Sequence, residues 1–167
     1  MLLLSTGGVY LKQAMYQIGK KVAEGANKKK RRPVSILVVD DDALISFIVA
    51  ETLNRPGVSV DLAENGLQAQ KKILAGNYDL VVTDINMPEM NGVDLLRWVK
   101  KSRPHIKGIV MTGYYISEAM TDELLGTVSD YLTKPFSLVT LQEAVKRGLE
   151  HLECRDGKER PKIGPAE

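Results

Sequence analysis

Cysteine is nearly missing from this sequence: Cys154 is the single one in 167 residues. An internal disulfide is therefore excluded, and an incidental thiol in a reducing cytoplasm is the fitting reading. Histidine is almost as scarce, with only His105 and His151, so the sequence has no ligand set for a transition metal. Long apolar runs are missing too. No stretch approaches the roughly 20 apolar residues needed to span a bilayer. Met1 to Leu4 starts apolar, but no basic residue precedes it and its run is shorter than the roughly 7–15 residues of a signal-peptide core, so no secretion signal is read. What remains is ordinary. A content of 44% hydrophobic and 26% charged residues is that of a soluble globular protein. The length suits one domain with tails, and it suffices to bury a core without disulfides or a structural metal.

The net charge of +2 hides an uneven spread. Before Pro33 stand Lys12, Lys20, Lys21, Lys28, Lys29, Lys30, Arg31 and Arg32 against Glu24 alone, so this segment carries about +7 and the remainder about −5. Residues 1–33 read as a basic extension. Within it Leu11, Met15, Ile18 and Val22 recur at helical spacing, while Gly19 and Gly25 weaken a helix. Its basic run could dock on anionic lipid or nucleic acid, against the plainer readings of a solvated tail or a true start at Met15. Residues 153–167 form a polar tail rich in Gly and Pro.

From Val34 short apolar runs alternate with helical segments. Ser35 to Val39 is a continuous aliphatic run, as expected of a strand buried on both faces. Further strands are predicted over Val58–Leu62, Leu80–Thr83, Ile106–Met111 and Val128–Leu132. Helices are predicted over 43–54, where Leu44, Ile45, Ile48, Val49 and Leu53 keep helical spacing, from Asn65-Gly66 to Gly76-Asn77, over 92–101, over 117–125 and from Leu138 to Leu152. Five strands alternating with five helices predict an α/β fold with a parallel sheet covered on both faces. In such folds the functional crevice lies at the carboxyl ends of the strands.

Those ends carry the polar residues. Strand one runs into Asp40-Asp41-Asp42, strand three into Asp84, strand four into Met111-Thr112-Gly113, and strand five into Thr133-Lys134-Pro135-Phe136. Each signal alone has a bland explanation. Asp42 suits a cap for the helix starting at Ala43, Lys-Pro suits a turn, and a threonine often just ends a strand. Taken together at one sheet edge, several carboxylates, a hydroxyl and an ammonium converge. Clustered carboxylates repel one another and titrate together. A divalent cation relieves that repulsion, and Mg²⁺ suits because it takes oxygen ligands and bridges to phosphate. One carboxylate can then attack phosphorus, with Lys134 neutralising charge and Thr112 donating to a phosphoryl oxygen.

At this point residues 34–152 resemble the receiver domain of bacterial two-component response regulators. The resembling stretches are Ile36 to Asp42, Asp84-Ile85-Asn86-Met87-Pro88-Glu89-Met90-Asn91-Gly92, Met111-Thr112-Gly113, and Tyr131-Leu132-Thr133-Lys134-Pro135-Phe136. The resemblance implies a doubly wound, flavodoxin-like (CheY-like) five-stranded sheet in the order 2-1-3-4-5. It makes Asp84 the phosphoacceptor, Asp41 a direct Mg²⁺ ligand, Asp40 an acid holding the ion through water, and Asn86 the donor of a backbone carbonyl to it. Thr112 becomes the switch hydroxyl, Lys134 the partner of acceptor and phosphoryl group, and Tyr131 the switch aromatic. Lys134-Pro135 is expected to be cis. Tyr114, two positions past Thr112, is expected to gate water from the phosphorylated site.

The implied protein is a signalling domain, not an enzyme with a separate substrate, and it catalyses only its own phosphorylation and dephosphorylation. A sensor histidine kinase or phosphotransfer protein supplies the phosphoryl group. The readout is a switch in partner binding across the face of the helix at 117–125, strand five and the last helix, with a phosphorylation-dependent homodimer as a further expectation. That face is expected to include Ile116, Ala119, Met120, Leu124, Val128, Leu138 and Lys146. No output or DNA-binding domain fits after residue 152, so a stand-alone receiver acting on an unknown protein target is expected. The alternative is a phosphorelay intermediate that hands the group to a phosphotransfer histidine. A Mg²⁺-dependent aspartyl phosphatase of the haloacid-dehalogenase type is disfavoured, because it needs a second aspartate where Asn86 stands.

Overall fold

The structure is a computed structural model and describes residues 32–113, 122 and 127–153. The expected helix over 117–125, apart from Asp122, lies outside them, as do nearly all of the basic extension and the polar tail. Five strands form the sheet: β1 (Val34–Val39), β2 (Val58–Ala63), β3 (Leu80–Asp84), β4 (Lys107–Thr112) and β5 (Val128–Thr133). All pairings are parallel, in the order β2-β1-β3-β4-β5. The described helices are α1 (Ala43–Leu53), α2 (Gly66–Ala75), α3 (Gly92–Ser102) and α4 (Leu138–Glu153).

Each helix starts where a short polar side chain satisfies the free N–H groups of its first turn. Asp42 accepts from the N–H of Leu44 and Ile45, Asn65 from Gln68, Asn91 from Asp94, and the Ser137 hydroxyl from Thr140. The cap expected of Asp42 is therefore present.

Side chains alternate across each strand, and the sheet sorts them into two cores. Leu37, Val39, Val81 and Val110 pack with Ala69 and Ile73 of α2 and Val93, Leu95, Leu96 and Val99 of α3. Ile36, Val38, Val82, Ile109, Met111 and Leu132 pack with Val49 and Leu53 of α1 and Leu141, Ala144 and Val145 of α4. The central strands are buried on both faces, as their unbroken apolar runs require. The helices depart from the sequence reading in one respect: Leu44, Ile48, Leu67, Leu74 and Leu138 keep helical spacing but are exposed. Periodicity shows which residues share a helix face but does not reveal how wide a stripe the sheet covers. Among the described residues no helix is long and apolar enough to cross a membrane.

Candidate functional site

The period of two along a strand explains which polar side chains meet. Asp40, Asp84 and Lys134 each stand two residues beyond a member of the core under α1 and α4: Val38, Val82 and Leu132. All three therefore leave the sheet on the same face at its carboxyl edge. There Lys134 Nζ donates to Asp84 Oδ1 at 2.5 Å and to Asp40 Oδ2 at 2.9 Å. An ammonium thus joins residues 94 and 50 positions away in sequence. Asp40 is 3% and Asp84 7% exposed, so two carboxylates are taken almost wholly out of water.

Backbone donors hold the remaining oxygens. Asp42 N–H donates to Asp40 Oδ1 at 2.9 Å, and Asn86 N–H to Asp84 Oδ2 at 2.6 Å. The Ser46 hydroxyl of α1 donates to the Asp40 carbonyl at 3.2 Å. Burial pushes the Asp40 carboxyl above the ordinary aspartate range, against the opposing pull of Lys134 and the Asp42 N–H. Burial acts on Lys134 by lowering its pKa. Its hydrogen bonds to Asp84 and Asp40 and their charges overcome that and hold it above its ordinary value, so it stays an ammonium at neutral pH.

The loop that follows Asp84 is closed by a glycine. Gly92 N–H donates to the Ile85 carbonyl at 3.0 Å, and a Cβ on Gly92 would stand 2.0 Å from the Asp84 carbonyl oxygen. No other residue fits so close an approach. At the loop tip Glu89 takes a left-handed φ of 65°.

The other expected residues are placed as follows. Asp41 is exposed, in the bend next to Asp40. The Asn86 side chain is exposed, while its N–H is engaged by Asp84. Thr112 ends β4, is 2% exposed, and its carbonyl accepts the Lys134 N–H at 2.7 Å. Tyr131 is half-buried against the core under α2 and α3, and the Lys134-Pro135 bond is cis. Tyr114 lies outside the described residues, as do Ile116, Ala119, Met120 and Leu124 of the expected switch face. Val128 is half-buried, and Leu138 and Lys146 are exposed.

Among the described residues no three His, Cys, Asp or Glu side chains stand together as a ready-made metal group. The donor chemistry nevertheless fits a hard cation. The four oxygens of Asp40 and Asp84 each accept one hydrogen bond, leaving each a further lone pair. One ammonium also leaves the two carboxylates and the neighbouring Asp41 net negative.

Sequence reasoning missed Ser46, Gly66 and the two N–H groups that orient the carboxylates. The N–H groups carry no residue-type signal, because any non-proline residue supplies one. Gly66 announced itself only as part of an Asn-Gly helix opener.

Beside Lys134 lies an apolar cleft of about 440 Å³ lined by Ile45, Ile48, Val49, Pro135, Phe136 and Leu138. Leu44 and Phe47 of the same helix, α1, are exposed, at 67% and 58%.

Comparison with known proteins gives a family. The response regulator receiver domain model matches residues 36–146. The chain is 39% identical over 118 residues to the transcriptional regulatory protein ZraR of Klebsiella oxytoca, covering 71% of this chain and 27% of that protein. It is 37% identical over 124 residues to the DNA-binding transcriptional regulator NtrC of Rhizobium meliloti, covering 74% and 26%. The chain thus spans about a quarter of the length of these curated relatives. Among solved structures it resembles a CheY-like receiver domain protein from Methanospirillum hungatei, with TM-score 0.67, 32% identity, and coverage of 73% and 98%. It also resembles the response regulator TrrA of Thermotoga maritima in complex with Mg(2+)-BeF, with TM-score 0.62, 37% identity, and coverage of 70% and 99%. With the sheet order, the carboxyl-edge cluster and these matches in agreement, the chain belongs to the response regulator receiver domain family of two-component signalling proteins.

Proposed function

We propose that this receiver, over residues 34–152, accepts a phosphoryl group on Asp84 from the phosphohistidine of a sensor histidine kinase or phosphotransfer protein in the cytoplasm. The observation that carries the reading is the Lys134 ammonium bridging Asp84 and Asp40 at 2.5 and 2.9 Å. A lysine so placed holds the acceptor in position and is ready to meet new negative charge. In the transfer an Asp84 carboxylate oxygen attacks phosphorus. A P–O bond forms as the P–N bond breaks, and the imidazole leaves and takes up a proton.

Asp40, Asp41, Asp84 and the Asn86 carbonyl would hold Mg²⁺, for which the relative solved with Mg(2+)-BeF gives support. Bound there, the ion supplies positive charge against the oxygens of the transferring group. Lys134 shares that task from the protein side, and Thr112 donates to a phosphoryl oxygen. Dense negative charge on Asp84 draws Thr112 and Lys134 toward it, and Tyr131 follows inward as the switch. Tyr114 gates water and sets the phosphate lifetime. Only the domain's own phosphorylation and dephosphorylation are catalysed.

The apolar cleft beside Lys134 supports a protein rather than a small molecule as physiological donor, since Ile45 and Ile48 line it and Leu44 and Phe47 are exposed on the same helix. Output runs through a partner-binding switch at the face of the expected helix over 117–125, β5 and α4, where a homodimer can also form. Relatives that are DNA-binding transcriptional regulators make control of transcription one route for that output. Onward transfer to a phosphotransfer histidine is the other. The test is intact mass after a small phosphodonor and Mg²⁺. Wild type gains one phosphoryl group and Asp84→Asn gains none; equal labelling of both would end the reading.

A further inference from the structure

The loop that carries the acceptor is fastened at two points. Its base is Gly92, against the Asp84 carbonyl. Its tip is fastened to a different element, the first residue of α2. Gly66 N–H donates to the Met90 carbonyl at 3.2 Å. A Cβ built on Gly66 would stand 2.5 Å from Met90 Cγ, 2.7 Å from Met90 O and 2.8 Å from Met90 Cβ. Two of those atoms are on or beside the backbone, so the loop itself would have to move. It has little freedom to do so. Met90 N–H closes a tight turn onto the Pro88 carbonyl at 2.8 Å, and Glu89 between them holds a left-handed φ that a side chain seldom adopts. Met90 and Ile85 both pack on the core under α2 and α3. At the other end of the same loop, Asn86 N–H orients Asp84 Oδ2 at 2.6 Å.

From this we infer that Gly66 is a positioning residue for the acceptor carboxylate. Its bare backbone lets Met90 lie against the start of α2, and that contact fixes the turn through which Asn86 N–H aims Asp84. The inference rests on the reading of Asp84 as phosphoacceptor. It is not the ordinary effect of a helix glycine. Alanine in place of glycine normally favours a helix, whereas here the close approach turns the substitution against the loop.

The test compares Gly66→Ala with Gly108→Ala in the full chain. Gly108 has a similarly short Cβ approach, 2.6 Å to Leu96 Cδ2, but against a side-chain tip instead of backbone, and it sits at the amino end of β4, away from the site. Two readouts are taken: hydrogen exchange of the Asn86 amide in metal-free protein without a donor, and the rate of Asp84 labelling by phosphoramidate with Mg²⁺. Gly66→Ala is expected to speed Asn86 exchange and to slow labelling roughly ten- to a hundredfold, the scale of a misplacement near 1 Å. Gly108→Ala is expected to lower Tm yet label at the wild-type rate. Adding Met90→Ala to Gly66→Ala removes the Cγ contact and restores part of the rate. A folded Gly66→Ala protein with wild-type exchange and labelling overturns the inference. If Gly66→Ala does not fold, the double variant with Met90→Ala decides: faster Asn86 exchange and slower labelling than in Met90→Ala alone support the clamp, and values equal to those of Met90→Ala refute it. Failure of the wild type to label at all would instead strike the phosphoacceptor reading, while the exchange comparison would still decide the clamp.

Discussion

Two aspartates five positions apart, Asp79 and Asp84, bracket β3 at opposite ends, and both are buried, at 3% and 7% exposure. Their partners differ in kind. Asp79 Oδ2 accepts the Ser35 N–H at 3.0 Å, its own N–H donates to the Ser35 carbonyl at 2.8 Å, and its carbonyl accepts the Lys107 N–H at 3.2 Å. It stitches β3 to both neighbouring strands through backbone groups. Asp84 is held by one N–H of its own loop and by an ammonium on a flexible stem that it shares with Asp40. A carboxylate tied to a fixed ladder is a fastener. A carboxylate tied to a movable cation can exchange that tie for a new group without unravelling the sheet. The same side chain on the same strand is thus a fastener at one end and, on the proposed reading, the phosphoacceptor at the other.

Breaking both ends separately gives the sharpest contrast. Asp84→Asn is expected to abolish phosphoryl uptake and leave the protein folded. Asp79→Ala is expected to do the reverse. It strands a largely buried Ser35 N–H at a cost of about 1–3 kcal/mol, read as a fall in denaturation midpoint, while labelling of Asp84 continues at the wild-type rate. Asp79→Asn keeps an acceptor oxygen and recovers most of the loss. A large loss of labelling in Asp79→Ala at a temperature where it is folded would erase the distinction between the ends.

The two ends were unequally legible in sequence. At the carboxyl end the signal is compositional: acids and a lysine directly after apolar runs cannot belong to the core, and the parallel pairing of buried strands brings them to one edge. Asp40, Asp84 and Lys134 stand out for that reason, Thr112 as the hydroxyl ending its own apolar run, and the family resemblance implies their tasks. At the amino end Tyr78 and Asp79 look like the close of an ordinary turn, Gly76 to Asp79, and nothing in the chain marks Asp61 and Ser35 as their respective partners. Their importance comes from a register, Ile36 beside Leu80, that only the folded sheet fixes. The same limit applies to α1. Its apolar residues wrap much of the helix, so spacing alone could not separate buried Val49 and Leu53 from exposed Leu44 and Phe47.

A smaller effect sharpens the electrostatic half of the contrast. Because burial raises the Asp40 pKa in the folded protein, its charged form costs stability at neutral pH. Asp40→Asn is therefore expected to raise Tm by roughly a few degrees at pH 7. The sign follows from linkage: the wild-type penalty is present above the raised folded pKa and vanishes as pH falls below the ordinary aspartate value, so the gain should fade under acid. Thermal melts across that range decide it. A gain that persists unchanged into acid would place its origin in packing instead of charge.

The smallest effect returns to the amino end. Tyr78, 5% exposed, donates its hydroxyl to Asp61 Oδ2 of β2 at 2.7 Å, and burial first, then this bond to an anion, raises its pKa. Tyr78→Phe should cost about 1 kcal/mol near neutrality, the worth of one hydrogen bond. The stronger discriminator is alkaline pH. The neutral phenol is favoured only in the folded state, so its stabilisation is complete below the ordinary tyrosine pKa of about 10 and is lost as pH rises through the raised folded value. Wild type should therefore lose stability more steeply than Tyr78→Phe above that pH, and the two denaturation curves should converge. Parallel curves would mean that the hydroxyl is tied to Asp61 too weakly to couple β2 to the β3 end of the sheet.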